Sequence, residues 1–158
     1  MIDNILELDG IQMPHLDLTI WQIHHLEDLQ SMITGALRSH PDWLIVAESR
    51  GVEFKEVLRS VKTGHPIITT LHSDHIDRIY SRMTSMLLIG ESVSLHAHLL
   101  QDVTEAFPIL IQLETFSDTN GLQRRIKGLH IHHHGQLYRF DEKTTIKEVD
   151  DFIQSWES

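Results

Sequence analysis

Glu7, Glu48 and His72 each close a run of strand-forming apolar residues, "MIDNILEL", "DWLIVAE" and "PIITTL" followed by histidine. A carboxylate at the tip of a buried strand costs several kcal/mol unless something pairs with it. In open α/β sheets, ligands bind at the carboxyl ends of the parallel strands. If these three strands are neighbours, two carboxylates and an imidazole converge. Such a set can hold a hydrated Mg²⁺ and orient a water, which is what nucleotide hydrolysis requires. Strand-end acids that only cap the following helix are the alternative.

A second stretch, "TGHPIITTLHSD" at 63–74, brings Thr63, Gly64 and His65 to the end of a helix and His72 one strand length later. A helix C-cap, with His65 at the negative end of the dipole, accounts for the first histidine. It leaves His72 unexplained. In "DWLIVAESRG", Arg50 is expected to pair with a carboxylate, and Gly51 to let the chain turn sharply into the next helix. The cluster "HIHHH" at 130–134 is a metal site if His130, His132 and His134 share a strand face. The competing reading puts these histidines on the solvated face and turn of a hairpin, with Leu129 and Ile131 inward. His96 and His98 fall on different helix faces, which argues against joint ligation. Trp21, Trp43 and Trp156 are read as core or interface packing.

The elements that must position these groups follow from hydrophobic period. Residues 1–8 read as a strand and 10–25 as an irregular link. From Leu26 to about Arg38, Leu26, Leu29, Ile33, Ala36 and Leu37 recur at helical spacing. "DWLIVAE" is continuous rather than alternating, as in a parallel strand covered on both faces. Helices over about 52–62 and 75–89 bracket "PIITTL" at 66–71, giving the strand–helix alternation of a doubly wound sheet. A fourth helix spans about 92–105. Alternating strands follow at 108–116, 122–132 and 136–140, with "SDTNG" and "HHG" as turns. A helix at about 145–156 closes the chain. One domain is expected over 1–158, with an α/β half (1–90) and a helix plus antiparallel tail (91–158).

Composition narrows the function. The 158 residues are 41% apolar, enough for a packed core. The runs "MLLIG" and "FPILI" fall far short of a bilayer span, and no basic-then-apolar leader is read at the start. With no cysteine, thiolate chemistry is excluded and a reducing, cytoplasmic compartment fits. A formal charge of −10, with Lys and Arg scattered singly apart from Arg124–Arg125, provides no basic stripe for nucleic acid. Thirteen histidines can reverse that charge at acidic pH.

Residues 37–86 resemble the secretion-type traffic ATPases, the ring-forming motors of type II secretion, type IV secretion and type IV or tight-adherence pilus assembly. That family's motifs occur in order as Arg38, Pro41–Asp42, Glu48, Arg50–Gly51, Thr63–Gly64–His65 and Thr70–Leu71–His72, with "SRM" at 81–83 matching its Ser-Arg-Leu. The stretch 107–138 resembles its closing β segment, so the likeness covers roughly residues 1–140. The resemblance implies an incomplete RecA-like parallel sheet followed by a small antiparallel segment. It implies ATP and Mg²⁺, with Glu48 holding the metal through water. His65 and His72 would form the His box, and Asp3 and Glu7 the upstream acidic box, Glu7 acting as base for the attacking water. Arg50, Thr63, Gly64 and Arg82 are carried over as nucleotide-side residues. A homo-oligomer (a hexamer in the family) is implied, with inner-membrane platform or secretion-complex proteins as partners, cytoplasmic and peripheral to the membrane.

Three departures from the family pattern limit the activity expected. The phosphate cradle Gly-x-x-x-x-Gly-Lys-Ser/Thr occurs nowhere in these 158 residues, and Ala47 stands where the family has glycine. The spacing from Asp3 to Glu7 is also one residue longer than the family pattern. The chain is therefore read as the C-terminal part of a motor (a truncated product, a split gene or a decayed relative) that does not hydrolyse ATP alone. In this class of sheet the cradle strand would lie beside "PIITTL", leaving that strand as an open edge. A non-catalytic interaction module and a histidine-based metal binder are the readings from other classes.

Overall fold

A computed structural model describes residues 2–3, 17, 19–22, 28–51, 53–89, 96–119, 121–141 and 143–156. The chain divides into two compact units, 1–106 and 107–158, and the fourth expected helix belongs to the first of them.

In the first unit, strands β1 (Ile2–Asp3), β2 (Trp21–Gln22), β3 (Leu44–Val46) and β4 (Ile67–Thr69) form one sheet in the order β2-β1-β3-β4. All its pairings are parallel, with Ile2 opposite both Trp21 and Val46, and Leu44, Ile45 and Val46 opposite Ile67, Ile68 and Thr69. β2 lies inside the stretch expected to be an irregular link. Two residues are too short for a hydrophobic period to register; the signal that remains is Trp21, whose ring lies 3.4 Å from where a Cβ on Gly35 would stand. β4 is an edge strand, as expected of "PIITTL". Its Ile68 is 49% exposed.

Helices α1 (Leu29–Leu37), α2 (Phe54–Lys62), α3 (Ile79–Leu87) and α4 (His96–Ala106) enclose the core. A 3₁₀ turn, Ile76–Arg78, leads into α3. Each helix buries the stripe its period marks: Leu29, Ile33 and Ala36 from α1, Phe54, Val57 and Leu58 from α2, and Ile79, Tyr80, Met83, Met86 and Leu87 from α3. β3 buries Leu44 and Val46, each 2% exposed, on one face, while Ile45 on the other is only partly covered, so the cover on both faces that its continuous apolar run implies is incomplete. α2 packs against α1, α3 and α4, and Lys62 Nζ meets Asp102 Oδ2 of α4 at 2.7 Å. Trp43, 58% exposed, is not a core residue.

The second unit is an antiparallel sheet of β5 (Ile109–Asp118), β6 (Gly121–His133) and β7 (Gln136–Phe140), followed by α5 (Ile146–Gln154). The β6–β7 hairpin turns through His134 and Gly135, both at positive φ (47° and 77°), as a two-residue loop matched to strand twist demands. Thr145 and Glu148 form a reciprocal capping box at the start of α5. Phe152 of α5 packs on Tyr138 and Phe140, at 4.5 and 5.4 Å between ring centres, and Trp156 stacks on His133 at 4.3 Å. Among the described residues no helix is long and apolar enough to cross a membrane.

The histidine hairpin differs from expectation. His130 is 6% exposed and Ile131 1%, so both faces of β6 are buried at this end, and His130 is not a solvated residue. Its Nε2 lies 3.3 Å from Gln112 Oε1, and 3.1 Å from where a Cβ on Gly128 would stand. Desolvation holds the imidazoles of His132 and His133 below the usual histidine range.

Candidate functional site

The tip of β3 is fastened to the strand beside it by residues the motif reading passed over. Ser49, 1% exposed, donates its backbone N–H to Thr70 O at 2.9 Å, and its hydroxyl lies 2.9 Å from that of Thr69. The Thr70 hydroxyl donates to Ala47 O. These bonds hold the two strand ends in register where the ladder stops.

Glu53 then locks the turn. Its Oε1 accepts the backbone N–H groups of Arg50 at 2.5 Å and Gly51 at 2.8 Å while the residue is 9% exposed. Charge-assisted acceptance of two backbone donors is among the stronger local hydrogen-bond arrangements. Gly51 does not take the left-handed conformation its place in a sharp turn suggests. The glycines at positive φ among the described residues are Gly64, Gly121 and Gly135. At Gly51 the constraint is space instead, since an added Cβ would sit 3.3 Å from Glu53 Oε2 and that carboxylate would have to give by a few tenths of an ångström. The sequence signal for Glu53 was present in "SRGVE", an acid three residues beyond the arginine. We expect Glu53→Ala to cost about 1–2 kcal/mol, because it strands two backbone donors. Chemical denaturation reads this as a lower midpoint at unchanged slope.

On this platform stands Glu48, its side chain 19% exposed. Arg50 Nη2 donates to Glu48 Oε2, and His72 Nε2 lies 3.4 Å from Oε1. The Arg50 hydrogen bond, then the charges of Arg50 and His72, hold the Glu48 carboxyl below the usual carboxylate range, against an opposing desolvation. A depressed carboxylate stabilises the fold above its unfolded pKa, and that contribution is lost as pH falls through the folded value. Arg50 is 69% exposed, so solvent screens the pair and its share of stability is small. Among the described residues Glu48 Oε1 is buried with no hydrogen-bond partner, His72 Nε2 being in ion-pair range but beyond a well-formed hydrogen bond. An ionised oxygen in that condition fits a role as acceptor for a metal-held water, the chemistry expected of a carboxylate beside Mg²⁺.

Glu48 and His72 are thus brought together at the carboxyl ends of β3 and β4. Asp3 lies one residue beyond the Ile2–Val46 pair, at the same edge of the sheet in backbone register. Glu7 falls outside the described residues. Thr63, Gly64 and His65 sit at the other end of β4, where Pro66 O accepts from Leu44 N; the structure does not bring them to Glu48. There Gly64, at φ +89°, terminates α2, and the Thr63 hydroxyl lies 3.2 Å from His65 Nδ1. Arg82 is on the exposed side of α3. Among the described residues no group of three or more His, Asp or Glu side chains is placed to hold a metal, and this includes the histidine hairpin.

A small parallel sheet with flanking helices, followed by a separate three-stranded antiparallel sheet, is the fold of a known class of ATPase. The structure superposes on the DotB ATPase of Yersinia pseudotuberculosis with a TM-score of 0.64 at 17% identity, covering 99% of this chain and 37% of that one. For the Legionella pneumophila DotB ATPase the TM-score is 0.61 at 21% identity, covering 97% and 38%. Residues 6–105 match the family described as Type II/IV secretion system protein, and the chain belongs to that family. An uncharacterised Bacillus anthracis protein is 30% identical over 111 residues, 68% of this chain and 25% of the relative. The protein transport protein HofB homolog of Escherichia coli is 30% identical over 81 residues, 49% and 18%. The chain thus spans about a quarter or less of the length of these relatives.

Proposed function

We propose that this chain contributes the acidic and histidine side of an ATP site in an oligomeric secretion or pilus-assembly motor, a hexamer at the cytoplasmic face of the membrane that engages platform or secretion-complex proteins. The observation that carries this reading is Glu48, ionised, with Oε1 buried, without a hydrogen-bond partner among the described residues, and with His72 at its side. In this reading Glu48 would accept a hydrogen bond from a water bound to Mg²⁺, and Arg50 keeps the carboxylate charged and fixes its rotamer. His72, 87% exposed at the end of β4, senses the terminal phosphate. Asp3 and Glu7 complete the acidic edge, with Glu7 as base. Thr63, Gly64, His65 and Arg82 act away from Glu48, coupling nucleotide state to movement rather than touching the same phosphate. Mg²⁺, when bound, would neutralise charge on the phosphate oxygens.

The phosphate cradle must come from outside these 158 residues, and the free side of β4 is where its strand would pair. Without that cradle the backbone N–H groups and lysine that grip the β- and γ-phosphates are lacking. We therefore expect ATP to bind the 158-residue chain only in the millimolar range or weaker, by calorimetry with Mg²⁺ present. Micromolar affinity would overturn the claim that the site is incomplete.

A further inference from the structure

Glu48 and His72 meet beyond the end of the strand ladder. The last paired residues of β3 and β4 are Val46 and Thr69, whereas Glu48 lies two residues past that pair and His72 three. Ladder pairing therefore does not by itself set the 3.4 Å between Glu48 Oε1 and His72 Nε2. Bonds between hydroxyl-bearing residues carry the two strands past that point. Ala47 and Ser49, the chain neighbours of Glu48, are each tied to Thr69 or Thr70. The Thr70 hydroxyl donates to Ala47 O, Ser49 N donates to Thr70 O at 2.9 Å, and the Ser49 and Thr69 hydroxyls lie 2.9 Å apart. Glu48 is thus pinned on both sides of itself to one dipeptide of β4. A single residue, Leu71, separates that dipeptide from His72, and two residue steps of chain reach at most about 7 Å. The imidazole is held on a short tether. On its other side Glu48 is aimed by Arg50, whose backbone N–H is locked by Glu53, so the hydroxyl clamp is a separate device that serves the His72 side.

We propose that Ser49, Thr69 and Thr70 are positioning residues for ATP hydrolysis, acting through the Glu48 carboxylate and the His72 imidazole, whose separation they set. This rests on the roles proposed for Glu48 and His72. The two hydroxyl links differ in what they do for the fold. Ser49 is 1% exposed, and a buried hydroxyl stranded without a partner costs more than its bond contributes, so the Ser49–Thr69 link is part of the packing of the strand ends. Thr70 is exposed, and water can replace Ala47 O as its partner, so its bond adds little to stability and its effect falls on geometry. That geometry has little slack. A further displacement of about 1 Å takes the 3.4 Å contact past the ~4 Å reach of an ion pair, and a misplacement of that size at a reacting centre can lower a rate by as much as about 100-fold.

The 158-residue chain itself permits the first test, by side-chain ¹H–¹⁵N NMR of the His72 ring at fixed pH. Glu48→Gln should displace the ring resonances in the parent. Once Thr69→Val and Thr70→Val have removed both hydroxyls while keeping the β-branched shape, the same substitution should displace them less than half as far. Thr69→Ser with Thr70→Ser, which keeps the hydroxyls, should restore the response. Because Thr70 is exposed, Thr70→Val alone keeps the test open if the double variant does not fold, with a smaller loss expected. In the chain joined to a segment that supplies the phosphate cradle, the double valine variant should lower kcat for ATP hydrolysis about tenfold while KM changes by less than about twofold, and the double serine variant should recover it. Thr104→Val, which deletes a part-buried hydroxyl of α4 bonded to Leu100 O, should leave kcat unchanged and reports what a hydroxyl deletion does away from the site. An undiminished His72 response, a kcat within about twofold of the parent for the double valine variant, or a loss that serine does not recover overturns the proposal. If Glu48→Gln lowers kcat and the valines do not, the clamp fails and the proposed function stands. If Glu48→Gln itself leaves kcat intact, the proposed function fails, and the role of the clamp in hydrolysis fails with it.

Discussion

Phe54→Ala is expected to destabilise the chain by about 3–5 kcal/mol, enough to remove most of the stability an ordinary domain possesses. Phe54 is fully buried, 0% exposed, in the first turn of α2, the helix that touches α1, α3 and α4. Truncation to alanine deletes a whole ring, and helices converging on one point cannot all close on the void. The urea midpoint should fall by about 2 M, given slopes of roughly 1–3 kcal/mol/M. Ile68→Ala serves as the contrast, since its side chain is half exposed at the β4 edge; it should cost no more than about 1 kcal/mol. Equal losses for the two would show that the burial pattern does not set the stability of this fold.

That contrast also shows where sequence patterns carried information. The helices were legible because a stripe recurring every three or four residues identifies both the element and its buried side, as in Ile79, Tyr80, Met83 and Leu87 of α3. β3 was legible because an uninterrupted apolar run implies cover on both faces. β2 was not, because two residues have no period. In β6 the alternation places Ile131 and His133 on one face and His130 on the other, but not how much covers each, and His130 was therefore misplaced in solvent. Alternation over 108–116 marks Ile109, Ile111 and Leu113 as one apolar face, yet they are exposed. Period gives direction along a strand and says nothing of where a covering helix ends. At the candidate site the titratable pair was legible from residue type at strand ends. The bonds of Ser49, Thr69 and Glu53 that aim Glu48 were not, because serine, threonine and glutamate near turns are common and only coordinates show which donor each one meets.

The second large effect is expected at Glu48 itself. In the chain joined to a segment that supplies the phosphate cradle, Glu48→Gln should lower kcat for ATP hydrolysis by about 100-fold or more, the usual cost of removing one preorganised electrostatic group from a phosphoryl-transfer site. The substitution preserves volume and an acceptor for Arg50, so the fold and the turn held by Glu53 persist. What it removes is the negative charge, and with it the reason for a buried Oε1 without a hydrogen-bond partner among the described residues. ATP affinity, set mainly by the cradle, should change by less than about tenfold, giving a loss in kcat rather than in KM. A variant that hydrolyses ATP within tenfold of the parent would mean that Glu48 only pairs with Arg50 at the end of β3. The depressed carboxyl would then be a structural ion pair, and the catalytic acid would have to be sought elsewhere along the edge formed by β1 and β3.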